Sequence, residues 1–114
     1  MDREKLNRYL AQWNQGNDEA LGPIFELAKD DLLRRAKQQV QSTSIMIEPR
    51  VLFGEAYQRI RGFKKRGFDD IDVFLNFLEK QMKLARIDIL RRETAQKRGD
   101  GSDHLPLENF ADRD

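Results

Sequence analysis

Gly62 to Asp70, read GFKKRGFDD, crowds more kinds of chemistry into one connection than any other stretch of this chain. Arg-Gly-Phe occurs twice, at Arg61-Gly62-Phe63 and at Arg66-Gly67-Phe68, and the cations Lys64, Lys65 and Arg66 stand between the two rings. Cations that meet phosphates, and rings that stack on unpaired bases, are how single-stranded nucleic acid is gripped. The plainer reading is that Phe63 and Phe68 pin the loop to a core, and for at least one of them that is expected. Phe63 directly follows a helical stretch and is better placed to close the core, so Phe68 is the ring assigned to a base.

Other chemistry is sparse. There is no G-x-x-x-x-G-K-[ST] phosphate loop, no H-E-x-x-H pair and no Ser in a nucleophile-elbow context. Cysteine is absent, which removes disulfides, thiolate nucleophiles and cysteine metal sites. Asp69, Asp70 and Asp72 are neighbouring carboxylates without a further ligand cluster, and His104, the only histidine, stands apart. Neither an enzyme nor a cofactor is expected.

The loop needs firm elements on both sides, and the pattern supplies them. After it, Ile71 to Arg92 places Ile71, Phe74, Leu75, Leu78, Met82, Ala85 and Ile89 on one helical stripe, with Asp70 as N-cap. Lys80, Lys83 and Arg86 fall away from that stripe, and Arg91 and Arg92 close it, so one side can bury while another meets a polyanion. Before the loop, Pro49 opens a helix to Arg61 with Leu52, Phe53, Ala56, Tyr57 and Ile60 inward. Gly54 inside it costs about 1 kcal/mol against Ala, which fits close approach of a partner or simple tolerance.

Further back, Arg3 to Asn14 reads as a helix with Leu6, Tyr9, Leu10 and Trp13 on one side, ended by a left-handed turn at Gly16. Asn17 caps a following helix that runs to about Gln41, broken or restarted early at Pro23. Its inner face is Ile24, Phe25, Ala28, Leu32, Ala36 and Val40, and its solvent side carries Lys29, Arg34, Arg35 and Lys37. Ile45, Met46 and Ile47 form a short apolar plug. The fold class is all-α, a single orthogonal bundle of about four helices.

At 114 residues this is one domain by size. Charged residues make up 36% and mean hydropathy is −0.79, yet apolar positions recur at helical spacing, so a small folded domain is expected. Charge is segregated. Residues 1–57 carry 8 cations and 9 carboxylates, residues 58–98 carry 12 and 6, and residues 99–114 carry 1 and 5. The middle block alone is basic, at net +6, the electrostatic footprint of a nucleic-acid binder. Residues 1–98 are read as the domain and 99–114 as an acidic linker or tail. MDREKLNRY lacks the apolar segment of a signal peptide, and no run approaches membrane-spanning length. The default is a cytoplasmic protein without membrane contact.

Four motifs in order resemble the second conserved region of bacterial extracytoplasmic-function (ECF) sigma factors. That region's last helix reads Trp-Leu, a mixed stretch, then Ile/Val-Asp-x-x-Arg-Arg, which compares with Phe77-Leu78 and Ile87-Asp88-Ile89-Leu90-Arg91-Arg92. One ECF-like sub-branch has Pro-x-x-Leu-x-x-Glu-Ala-Tyr-x-Arg-Leu, a Met-Arg-Arg helix and Ala-Lys-Arg-Gly. This chain has Pro49 through Leu52 to Glu55-Ala56-Tyr57-Gln58-Arg59-Ile60, then Met82-Lys83, then Gln96-Lys97-Arg98-Gly99. The resemblance covers roughly residues 5–100. Gly54 stands where many members have Gln, Leu84 where many have Asn, and Phe77 at the Trp position.

The resemblance implies partners. The shorter helix would bind the clamp helices of the RNA polymerase largest subunit through Leu52, Glu55 and Arg59. The loop from Phe63 to Asp70 would capture a flipped non-template base of the promoter minus-ten element. Lys80, Lys83, Arg86, Arg91 and Arg92 would hold the melted single strand and the duplex edge. An anti-sigma factor is a further partner the family allows. Family members also carry a helix-turn-helix domain, and this chain stops in what resembles the linker to it. The function expected is a sigma-factor core domain that binds polymerase and opens promoter DNA. The alternative is an interaction module on the same fold that binds polymerase or a regulator without reading DNA. A third reading is a helical scaffold with a solvated charged face.

Overall fold

The computed structural model describes residues 1–43 and 46–97, without the side chains of Gln96 and Lys97. The expected acidic tail at 99–114, with His104, lies outside the described residues, as does Ile45. Among the described residues there are five α-helices, one 3-10 turn and no strand: α1 (Arg3–Asn14), the turn Asp18–Ala20, α2 (Leu21–Leu27), α3 (Lys29–Gln41), α4 (Pro49–Arg61) and α5 (Ile71–Lys97).

Local chemistry fixes most of the boundaries. Asp2 caps α1 by accepting the Lys5 N–H at 3.1 Å. Gly16 turns the chain with φ +107°, in the left-handed region glycine enters freely. Asn17 accepts the Glu19 N–H at 3.1 Å and starts the next element. Pro49 takes the first turn of α4, where its missing N–H is not needed. Asp70 accepts the Val73 N–H at 3.0 Å and opens α5.

The helix expected from Asn17 to Gln41 is instead three segments, and its interruption falls at Ala28, not Pro23. Pro23 is the third residue of α2, where no intrahelical partner for its nitrogen is required. Ala28 is fully buried with φ −97° and ψ 12°, outside helical geometry. Asp30 and Asp31 in the first turn of α3 then sit at its positive end. The apolar plug is also revised: Ile47 is buried, but Met46 is 95% exposed. In extended chain neighbours point to opposite sides, so only one of the two can reach the core.

Around α5 the core closes. Ile71, Phe74, Leu75, Leu78, Met82 and Ala85 are at most 1% exposed, and α5 packs on α4, α3 and α1. Each large side chain fully buried in this way contributes about 1.5–3 kcal/mol. Leu52, Ala56 and Ile60 face it from α4, while Phe53 and Tyr57 meet the edge of Phe25 at 5.5 and 5.1 Å. Arg35, expected on the solvent side, is instead a staple. It donates to Asp31 at 2.7 Å, to Asn76 at 2.9 Å and to Glu79 at 2.8 Å, which ties α3 to α5. Burial works to raise the Asp31 pKa, but the hydrogen bonds from Arg35 and Arg34 outweigh it and hold the carboxyl below its ordinary range.

Candidate nucleic-acid interface

The loop between α4 and α5 is held from below by α1. Asn14 accepts from the Gly67 N–H at 3.0 Å and the Phe68 N–H at 3.2 Å, and donates to the Phe68 carbonyl at 3.0 Å. Gly67 has φ +129°, a conformation that brings both N–H groups to one acceptor and that favours glycine. Arg66 donates to the Phe63 carbonyl at 3.0 Å, to the Trp13 carbonyl at 2.9 Å and to Asp18, with its guanidinium 4.2 Å from the Trp13 ring centre. The hydrogen bond from Arg66, followed by its charge, keeps the Asp18 carboxyl below its ordinary pKa.

Arg66 was therefore misplaced among the strand-binding cations. Its side chain is 8% exposed, and its donors are directed into the protein. A planar fork with five donors can satisfy three acceptors at once, which suits Arg to that role. Lys64 and Lys65 are exposed and have no ion pair with another described residue.

Both loop rings pack against the core, and Phe68, the ring expected to be left for a base, has the more aromatic neighbours. Phe68 lies against Phe74 at 4.9 Å, Phe77 at 5.1 Å and Trp13 at 6.1 Å. Phe63 meets a single ring, Phe77, at 5.2 Å. Phe68 closes the core because α1 reaches up to it through Trp13 and Asn14, residues more than fifty positions away that no local pattern connects to the loop. Between the rings lies an open concavity of about 310 Å³, lined by Phe63, Lys65, Arg66, Gly67, Phe68 and Phe77. Three aromatic edges with one unpaired ammonium at the rim can hold a planar heterocycle beside a phosphate.

On α5, Lys80 follows Phe77 by one turn and so continues from the concavity along the same side. Lys83 and Arg91 lie within about 60° of Lys80 around the helix, so these three form one line. Lys80 and Arg91 are exposed and Lys83 half-exposed. Arg86 is turned toward α3, where it donates to Gln39 at 3.2 Å. Arg92 is exposed but lies about 120° around the helix from Lys80. A groove of about 440 Å³ between α3 and α5 is lined by Gln39, Asn76, Glu79, Lys80, Lys83 and Leu84.

The face expected to meet polymerase changes in composition. Leu52 is fully buried and is a core residue, not a surface contact. Arg59 is half-buried and donates to Asp88 of α5 at 2.6 Å, with Glu55 3.8 Å away. The Asp of the Ile-Asp-x-x-Arg-Arg motif is thus an internal acceptor for α4. The outer face of α4 presents Val51, 46% exposed, together with Gly54, Glu55 and Gln58. A Cβ built on Gly54 meets nothing within 4 Å, so the packing of this chain does not require glycine there. The carboxylates Asp70 and Asp72 are occupied as the α5 cap and as the partner of Arg3.

The fold and loop together make a helical domain whose last helix carries cations after an aromatic loop, a charge arrangement compatible with a polyanionic partner. A family model described as ECF sigma factor matches residues 3–113, and the chain belongs to that family. Family membership carries RNA polymerase binding and promoter recognition in general terms. Comparisons with curated proteins and with solved structures gave no match. Among the described residues no helix is long and apolar enough to cross a membrane.

Proposed function

We propose that this chain recognises and melts the promoter minus-ten element while bound to RNA polymerase. The observation that carries the reading is the aromatic concavity of Phe63, Phe68 and Phe77, with the unpaired Lys65 at its rim, the exposed Lys64 beside it in sequence and Lys80 one turn along α5. A non-template base leaves the stack and enters the concavity, with Phe63 as its free wall. Lys64 and Lys65 meet the flanking phosphates, and Lys80, Lys83 and Arg91 follow the displaced strand, with Arg86 and Arg92 at its margins. Val51, Gly54, Glu55 and Gln58 on the outer face of α4 meet the polymerase clamp helices, with Arg59 and Asp88 bracing that face from behind.

A cation that neutralises a phosphate on a single strand contributes about −0.7 to the slope of log affinity against log salt. Replacing Lys64 and Lys65 together by Ala should flatten that slope by about 1.4 in a fluorescence titration with labelled single-stranded DNA. An unchanged slope removes the loop from the DNA site. It would favour the interaction-module reading, with which the inward-turned Arg66 agrees. Polymerase-core binding that survives loss of strand binding would establish that alternative.

A further inference from the structure

Asn14 directs its whole side-chain amide at the loop. Its oxygen receives the Gly67 and Phe68 N–H groups at 3.0 and 3.2 Å, and its nitrogen donates to the Phe68 carbonyl at 3.0 Å. The amide offers a separate acceptor and donor in this arrangement, whereas Asp lacks the donor and Leu lacks both. Arg66 adds a second tie from the loop to the same end of α1, through the Trp13 carbonyl and ring, and extends it to Asp18. Neither residue contacts the open side of the concavity through these bonds. Their effect is on the shape of the loop.

We infer that Asn14, backed by the Arg66–Asp18 pair, is a positioning residue that sets the base-capturing loop before DNA arrives. The inference rests on the base-capture reading. A segment in neither helix nor sheet, as residues 62–70 are, would lose conformational freedom on gripping a strand, and that loss weakens binding. A loop already fixed at Gly67 and Phe68 has met this cost during folding, which is preorganisation. Phe63, Lys64 and Lys65 are then presented in one geometry, while the phosphate contacts along α5 do not depend on the clamp. Base-dependent affinity should therefore respond strongly to Asn14, while the part of the salt dependence carried by Lys80, Lys83 and Arg91 on α5 should not.

The test uses the full chain, the isosteric Asn14→Leu variant, and Asn14→Asp, which keeps the two acceptor bonds. The probe is the tightest short single strand recovered from a random pool on the wild-type chain, with an abasic site placed at each position in turn. Wild type should lose about fivefold to a hundredfold in affinity when the captured base is removed. Asn14→Leu should lose most of that sensitivity while keeping at least the part of the salt slope that the α5 cations carry, and Asn14→Asp should keep part of the sensitivity. Trp13, the only tryptophan, touches Phe68 and Arg66, so its emission should shift in Asn14→Leu without DNA.

Equal base sensitivity in wild type and Asn14→Leu, at a temperature where circular dichroism shows both folded, overturns the inference. So does an unchanged Trp13 emission. A wild type with no base-sensitive position instead overturns base capture itself, and an emission shift then makes Asn14 a purely structural anchor. Where Asn14→Leu does not fold, Asn14→Asp carries the same comparison.

Discussion

Replacing Phe68 by Ala takes out the residue on which three other rings converge. Phe68 meets Phe74, Phe77 and Trp13 at 4.9, 5.1 and 6.1 Å, so the variant loses three ring pairs worth about 0.5–1.5 kcal/mol each. Buried Phe→Ala changes cost about 3–5 kcal/mol, and the partial exposure of this ring puts the loss near 3. For a domain near 100 residues each kcal/mol lowers the melting temperature by about 4–8 °C, so a fall of about 12 °C or more is expected. Phe63 is also partly buried but has one ring partner, at 5.2 Å, so Phe63→Ala should cost less than Phe68→Ala, about 2 kcal/mol of stability. It should, however, weaken strand binding by about 1–3 kcal/mol, the worth of one base–aromatic stack. The measurements are thermal unfolding by circular dichroism and fluorescence anisotropy with a labelled strand, taken where both variants are folded. Phe68→Ala with an unchanged melting temperature and reduced strand affinity per folded molecule, alongside the reverse in Phe63→Ala, would refute this assignment of the rings.

Arg35→Met should destabilise the fold by about 2–3 kcal/mol in urea denaturation, somewhat less than loss of one member of a fully buried pair, because Glu79 loses its partner, Asp31 is left with Arg34 alone, and both retain some water. The deficit should shrink in acid: Asp31 is depressed in the folded state, so its stabilisation is present above the ordinary 3.8 and is lost as pH falls through the lowered value. Gly54→Ala should stabilise the chain by about 1 kcal/mol, since the added methyl meets open space and the helix gains propensity. If the outer face of α4 docks closely on the clamp helices, the same substitution should lower polymerase-core affinity in a competition assay.

What could be read from sequence and what could not divide along the range of the physics. Caps and starts at Asn17, Pro49 and Asp70 depend on neighbours within three residues and were legible, as was the α5 stripe from Ile71 to Ala85. The arginines were not legible as ligands of the fold, because their acceptors are distant: Asp18 and the Trp13 carbonyl for Arg66, Glu79 and Asn76 for Arg35, Asp88 for Arg59. A charge count treats these residues as equal to lysines, and chemistry does not. The guanidinium is weakly hydrated and satisfies several acceptors from one plane, so folding draws it inward, whereas the compact, strongly hydrated ammonium stays in water. Lys64, Lys65, Lys80 and Lys83 accordingly have no ion pair with another described residue. The net +6 of residues 58–98 therefore overstates the charge available to DNA. Arg66 is directed to Asp18 and Arg59 to Asp88, so the salt dependence of strand binding should be carried mainly by these lysines, with Arg91 and Arg92 at the far end of α5.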